Sequence, residues 1–266
     1  MRIVRYVTNV DDSRGKPTWG LLLEKYVYPL RQAPYDSPRL ARDFAPEIEG
    51  APILIDEVKL LPPCDPRKII CVGRNYAAHA AEFGNEVPEE PAIFLKAGTT
   101  LIGPGESIIL PSISQRVDHE AELALVIGKR ARYLSPQDAH NIILGYTCAN
   151  DITARDLQKK DVQWTRGKNF DTFGPVGPWL DTNWSPEGKT IRCLVNGEVR
   201  QESNTDLFVH SIGKVLAFVS QFMTLEPGDL VMTGTPEGVT PLHPGDTVTV
   251  EIEGLATLTN PVIAGV

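Results

Sequence analysis

Leu123-Ala-Leu-Val-Ile127 is apolar at five successive positions. Side chains of a strand alternate between its faces, so a strand through this run has no polar side and reads as fully buried. A chain of 266 residues is long enough to bury it. Short apolar runs of the same kind recur at Lys68–Val72, Ala92–Leu95 and Ser107–Leu110. Near the C-terminus, "LEPGDLVMTGTP" and "LHPGDTVTVEIEGLATLTNPV" each place Pro-Gly-Asp before an alternation rich in β-branched residues, which is turn chemistry followed by strand chemistry. The 22 glycines and 22 prolines suit a chain of many turns and short strands. Helical patterning is confined to Asn75–Phe83 (with Asn75 as N-cap), Pro136–Leu144 and Ser211–Met223. The expectation is a β-dominated α+β fold. The stiff stretch "LLPPCDP", Leu60 to Pro66, divides a small β-rich N-terminal domain, 1–64, from a main domain, 65–266.

Composition removes several function classes. The net charge is −8 and no Lys/Arg cluster is long enough to track phosphates, so nucleic acid is not an expected partner. No apolar run approaches the roughly 20 residues that cross a bilayer, and MRIVRYVTNVDD has no export signal, so the expected location is cytoplasmic. Neither G-x-G-x-x-G nor G-x-x-x-x-G-K-[ST] occurs. Cys64, Cys71, Cys148 and Cys193 are scattered without zinc-site spacing, and Cys71 and Cys148 sit in apolar runs as core thiols.

Glu120 and Glu122 stand immediately before the buried run. In a strand they face the same way, with Cα atoms roughly 7 Å apart. An E-x-E pair is ordinarily a solvated strand face. Here the apolar residues that follow carry the pair into a half-buried site, where two like charges either rise in pKa or hold a cation. Asp151, after Gly145–Asn150, adds a third carboxylate at a strand end. An all-oxygen set favours Mg²⁺, Mn²⁺ or Ca²⁺ over zinc. His79 and Glu82 are three apart in a helical stretch and share its face, either as an exposed pair or as a general base with its orienting carboxylate. Lys96, Lys168 and the loop "MTGTPEGV", with Thr233 and Thr235, offer donors of the kind that hold a carboxylate or oxyanion.

Taken in order, "KIICVGRNYAAHAAE", "PAIFLKAGTTLIGPGE", "DHEAELALVIGK", "GYTCANDITARDLQ", "KNFDTFGPVGPW" and "VMTGTPEGV" resemble the fumarylacetoacetate hydrolase family over residues 68 to about 240. The chain is similar to the short bacterial members, including acylpyruvase, oxaloacetate decarboxylase and 2-hydroxyhepta-2,4-diene-1,7-dioate isomerase types. The resemblance implies a mixed β-roll catalytic domain, a homodimer and one divalent metal, Mg²⁺ or Mn²⁺ with Ca²⁺ as a further candidate. By motif match, Glu120, Glu122 and Asp151 are its ligands. His79 and Glu82 form a dyad on a lid that orders with substrate, and Lys168 contacts the substrate's oxygens. Arg74, Lys96, Gln158 and Thr235 match substrate-side positions. Two positions depart from the family pattern, namely His119, where many members have Tyr, and Thr240, where a Gly often follows "TPEGV". The implied substrate is a 2-oxo or 2,4-dioxo acid whose enolate the metal stabilises as a Lewis acid. The intact dyad favours C–C bond cleavage, by acylpyruvate hydrolysis or oxaloacetate decarboxylation. The alternatives are isomerisation of the heptadienedioate and a catalytically silent metal-binding homologue.

Overall fold

The computed structural model describes residues 1–8, 15–35 and 46–265. The parts of the expected N-terminal unit at 9–14 and 36–45 lie outside the described residues. Strands dominate, and they form two principal sheets. Among the described residues the larger has twelve strands. Ten form a path that runs Ile53–Leu54, Tyr26–Pro29, Thr18–Leu23, Arg2–Val7, Gly174–Asp181, Ile143–Asn150, Ala121–Ile127, Leu230–Met232, Ile69–Gly73 and Ala92–Lys96. Off that path, Lys59–Leu61 pairs with Arg2–Val7 and Leu101–Ile102 with Gly174–Asp181. The smaller runs Glu198–Asn204, Thr190–Val195, Thr247–Ile252, Ala256–Ala264 and Ile108–Leu110. Most neighbours are antiparallel, but Leu230–Met232 runs parallel to Ile69–Gly73, and Ala256–Ala264 parallel to Ile108–Leu110. The sheets are therefore mixed, as expected. The N-terminal strand Arg2–Val7 joins the large sheet through Arg2–Asp181 and Ile3–Leu180.

The apolar run Leu123–Ile127 is the centre of this arrangement. All seven residues of Ala121–Ile127 are buried. Leu123, Leu125 and Ile127 point into a core shared with the smaller sheet (Ile191, Val248, Val250) and with Val215, Leu216 and Val219 of helix Ile212–Phe222. Ala124 and Val126 point the other way, onto Ile3, Ile69, Cys71, Val176 and Leu230. Full burial of a Leu or Ile contributes about 1.5–3 kcal/mol, so this strand anchors both layers. Helix Ile212–Phe222 begins where expected, with the Ser211 side chain accepting a hydrogen bond from the Lys214 N–H. All four cysteines are buried free thiols.

Two local expectations need correction. Pro136–Leu144 is not a helix. A single 3-10 turn, Ala139–Ile142, gives way to strand Ile143–Asn150, whose eight residues are all buried. Ile143 and Leu144 go to opposite cores, which demands the two-residue period of a strand. Asn75 is not an N-cap either. Helix Ala77–Glu82 is preceded by an extended Tyr76 without a side-chain cap. The Asn75 amide instead donates to the carbonyls of His210 and Thr233 and accepts from the His210 N–H, which ties the base of this helix to two distant loops.

Candidate active site

The carboxylates meet because three strand ends meet. Strand Ala121–Ile127 pairs with Ile143–Asn150 in the register Ala121–Asn150, so Glu120 precedes one strand where Asp151 leaves the other. The Asp151 N–H donates to the Glu120 carbonyl at 2.9 Å, and the Glu120 N–H to the Asn150 side-chain oxygen at 2.8 Å. Leu230–Met232 lies on the other side of Ala121–Ile127, and its continuation brings the Gly234 N–H to within 2.7 Å of Glu122 Oε2. One oxygen from each of Glu120, Glu122 and Asp151 lies within 4.8 Å of the others. All three residues are at most 4% exposed.

Their electrostatic situations differ. Lys168 Nζ bridges Glu120 Oε2 at 2.8 Å and Asp151 Oδ2 at 2.7 Å. Lys96 Nζ donates to Asp151 Oδ1 and to the Lys168 carbonyl, both at 2.6 Å. Arg155 donates to Glu120 Oε1 at 2.6 Å, to Asp118 Oδ2 at 2.9 Å and to Gln158 Oε1 at 2.8 Å. Burial alone would raise the Glu120 pKa, but the charges of Lys168 and Arg155 outweigh it and hold the carboxyl well below the ordinary range. The opposite holds for Glu122, where burial and then the charges of Asp151 and Glu120 push the carboxyl well upward. Among the described residues no Lys, Arg or His forms an ion pair with it. A buried carboxylate facing two others and lacking a cationic partner fits a divalent cation, and the all-oxygen donors fit a hard one. Lys168 is also raised. Burial disfavours its ammonium, but Asp151 and Glu120 overcome that, so it stays charged.

These groups line a cavity of about 590 Å³, within the range of small-molecule sites. Arg74, His79, Gln158, Lys168 and Thr235 share it with Glu120, Glu122 and Asp151. Glu82 stands behind His79, with Oε2 at 3.4 Å from Nδ1. The contact is close but not aligned as a hydrogen bond, and His79 Nδ1 has no hydrogen-bond partner. Burial lowers the His79 pKa, which keeps the imidazole neutral. Helix Ala77–Glu82 is seated over the cavity through Phe83, whose ring lies 4.6 Å from the Arg155 guanidinium. Arg74 has a left-handed backbone, φ 57°, at the end of strand Ile69–Gly73, and its guanidinium lies 5.8 Å from the Trp164 ring. Such backbone positions recur at functional sites. Lys96 is not among the residues that line the cavity. Its side chain is fully buried, with the ammonium engaged by Asp151 and the Lys168 carbonyl. Lys96→Met breaks that buried pair, and a loss of about 3 kcal/mol in unfolding free energy is expected by urea titration of the metal-free protein.

The family is decided by a match over residues 68–263 to the model described as fumarylacetoacetate (FAA) hydrolase C-terminal. This chain belongs to the fumarylacetoacetate hydrolase family. Among the family's members, a mitochondrial oxaloacetate tautomerase of Bos taurus is 47% identical over 216 residues, covering 77% of this chain and 69% of the relative. The solved 5-carboxymethyl-2-hydroxymuconate delta-isomerase of Mycobacterium smegmatis superposes with a TM-score of 0.89 at 41% identity over 100% of both chains. The maleylpyruvate hydrolase of Sphingobium sp. SYK-6, solved with manganese(II) and pyruvate, superposes at 0.80 with 31% identity over 100% of both chains.

Sequence reasoning missed Arg155, Asp118 and Gln201. Arg155 stands four residues after Asp151 in "NDITARDLQ", and that spacing is the one local signal that could have found it. His119 and Thr240, the two departures from the fumarylacetoacetate hydrolase pattern, touch each other, with His119 Nε2 2.9 Å from Thr240 Oγ1.

Proposed function

We propose that the chain is a divalent-metal-dependent enzyme that moves a proton on 2-oxo dicarboxylic acids, interconverting keto and enol forms. The observation that carries this reading is Glu122, a buried carboxylate without a cationic partner, set beside a buried neutral imidazole in one cavity. Glu120, Glu122 and Asp151 would hold Mg²⁺ or Mn²⁺, which supplies Lewis acidity toward a 2-oxo acid. His79 takes a proton from the carbon beside the keto group. The C–H electron pair becomes the C=C bond as the carbonyl oxygen gains charge, and that oxygen then takes a proton, from the imidazolium or from water, to give the enol. Loss of the O–H proton and return of a proton to carbon reverse the sequence. Lys168 gives two of its three N–H donors to Glu120 and Asp151, which leaves one for the developing oxyanion. Arg74 has no carboxylate partner among the described residues and is free to take a distal carboxylate of the substrate. The similarity to a tautomerase at 47% identity and to an isomerase at 41% supports proton transfer.

C–C bond cleavage, which the dyad suggested in the sequence, is the second reading. Glu82 within 3.4 Å of His79 favours it, since the pair could activate water, as does the likeness to a hydrolase solved with pyruvate. The test is chelated protein given Mg²⁺ or Mn²⁺ with oxaloacetate, measured against a metal-only blank. Enol absorbance, deuterium entry at C3 and pyruvate are followed together. Metal-dependent deuterium exchange with carbon skeletons intact is the expected result. Pyruvate above the blank moves the assignment to cleavage, and inertness toward oxaloacetate defeats the substrate class.

A further inference from the structure

Behind the glutamates lies a side chain that neither the sequence motifs nor the proposed chemistry uses. Gln201 belongs to strand Glu198–Asn204 of the smaller sheet and is 0% exposed. Its amide makes four hydrogen bonds. Oε1 accepts from the Ala121 N–H at 3.0 Å and faces His119 Nδ1 at 3.0 Å. Nε2 donates to Thr235 Oγ1 at 2.8 Å and to the Pro236 carbonyl at 2.7 Å. The assignment of oxygen and nitrogen is forced, because the Ala121 N–H can only donate and the Pro236 carbonyl can only accept. His119 must then carry its proton on Nδ1. Its Nε2 is left to accept from Thr240, whose N–H points at it from 3.3 Å.

The consequence reaches the cavity through Thr235. Its hydroxyl donates to the Ala121 carbonyl at 2.8 Å and accepts from Gln201. A hydroxyl has one hydrogen and two lone pairs, so one lone pair remains. Thr235 therefore meets the cavity contents as an acceptor, and its partner there must be an O–H or N–H donor, such as an enol hydroxyl or a water. Both backbone groups of Ala121, the residue between Glu120 and Glu122, are held by this same pair of side chains. The seating is tight: at Gly238, with φ +92°, a Cβ would collide with the Arg200 carbonyl.

We propose that Gln201 is a positioning residue, which fixes the backbone between the two glutamates and sets the Thr235 hydroxyl as a hydrogen-bond acceptor toward the cavity. The inference rests on the reading of this cavity as the reactive site. The test uses full-length chelated protein, Mn²⁺ alone as the calorimetric probe, and turnover of oxaloacetate. Gln201→Met is expected to lower Mn²⁺ affinity and kcat by about 10- to 100-fold, the range for residues that support metal ligands. Combined with Thr235→Val, the loss should be no larger than the greater single loss, because both variants break one chain of bonds. Gln201→Glu separates positioning from packing. Ionised, its carboxylate has no hydrogen for Thr235 or Pro236, and protonated it has one. The ratio of its kcat to wild type should therefore rise as pH is lowered, and this ratio decides the matter if Gln201→Met does not fold. Wild-type Mn²⁺ affinity and kcat in Gln201→Met, multiplying losses in the double variant, or a flat pH ratio would overturn the proposal. Wild-type protein that binds Mn²⁺ but turns over no 2-oxo acid defeats the proposed function instead, and leaves the calorimetric arm standing.

Discussion

Glu122→Gln should lose Mn²⁺ binding and lower kcat by about 10³-fold, while making the metal-free protein more stable. The first two effects follow, on the proposed function, from removing one of the three carboxylates that would hold a cation, whose Lewis acidity would supply several kcal/mol, at 1.36 kcal/mol per tenfold in rate. The third is the more discriminating. Glu122 is buried, faces Asp151 and Glu120, and has the Gly234 N–H as its hydrogen-bond donor. The amide keeps an oxygen for that donor and removes the charge. A gain of even about 1 kcal/mol would raise Tm by roughly 2–4 °C in a chain of this size. Glu120→Gln should do the reverse. Glu120 is clamped by Arg155 at 2.6 Å and Lys168 at 2.8 Å. Neutralising it takes one of two carboxylate partners from each of these buried cations, leaving Arg155 to Asp118 and Lys168 to Asp151, and costs up to about 3 kcal/mol. Differential scanning fluorimetry in chelator checks both variants. If Glu122→Gln is destabilised like Glu120→Gln and still binds Mn²⁺ with unchanged affinity, Glu122 is not the residue that needs the cation.

That contrast also marks what was legible in the sequence. The buried strand, the E-x-E at its mouth, Asp151 at the next strand end and the His79–Glu82 spacing are local patterns, and the structure gathers these residues around one cavity. What distinguishes Glu120 from Glu122 is not local. The cations on Glu120 come from 35 and 48 positions away. Gln201 reaches His119 across 82 positions and Thr235 across 34. No periodicity of two or 3.6 residues encodes such pairings, because they depend on how sheets stack. The misread helix at 136–144 has the same origin. Ile143 and Leu144 suit either structure by composition, and the demand of two separate cores made them strand. Asn75 followed the rule for an N-cap, yet two loops from far along the chain took its amide.

His79→Asn should lower kcat by about 10²- to 10⁴-fold, the range for losing a general base, with Mn²⁺ affinity unchanged. His79 is 8% exposed, and burial depresses its pKa, so the imidazole is neutral and offers a lone pair within the cavity. It is not one of the three carboxylates that would hold the metal, so calorimetry with Mn²⁺ alone should not register its loss. The helix that carries it is secured independently of the ring, through Asn75 on His210 and Thr233 and through the Gly238 N–H on Glu82. Asparagine should therefore leave the fold intact. Glu82→Gln is expected to cost less, about tenfold, because its 3.4 Å contact with Nδ1 is not aligned as a hydrogen bond and contributes orientation rather than proton transfer. The order of the two losses separates the chemistries. Proton transfer at carbon needs the imidazole alone, whereas activation of water for C–C cleavage needs the imidazole held by its carboxylate. Equal losses for the two variants would favour cleavage, and a fully active His79→Asn would show that the imidazole is not the base.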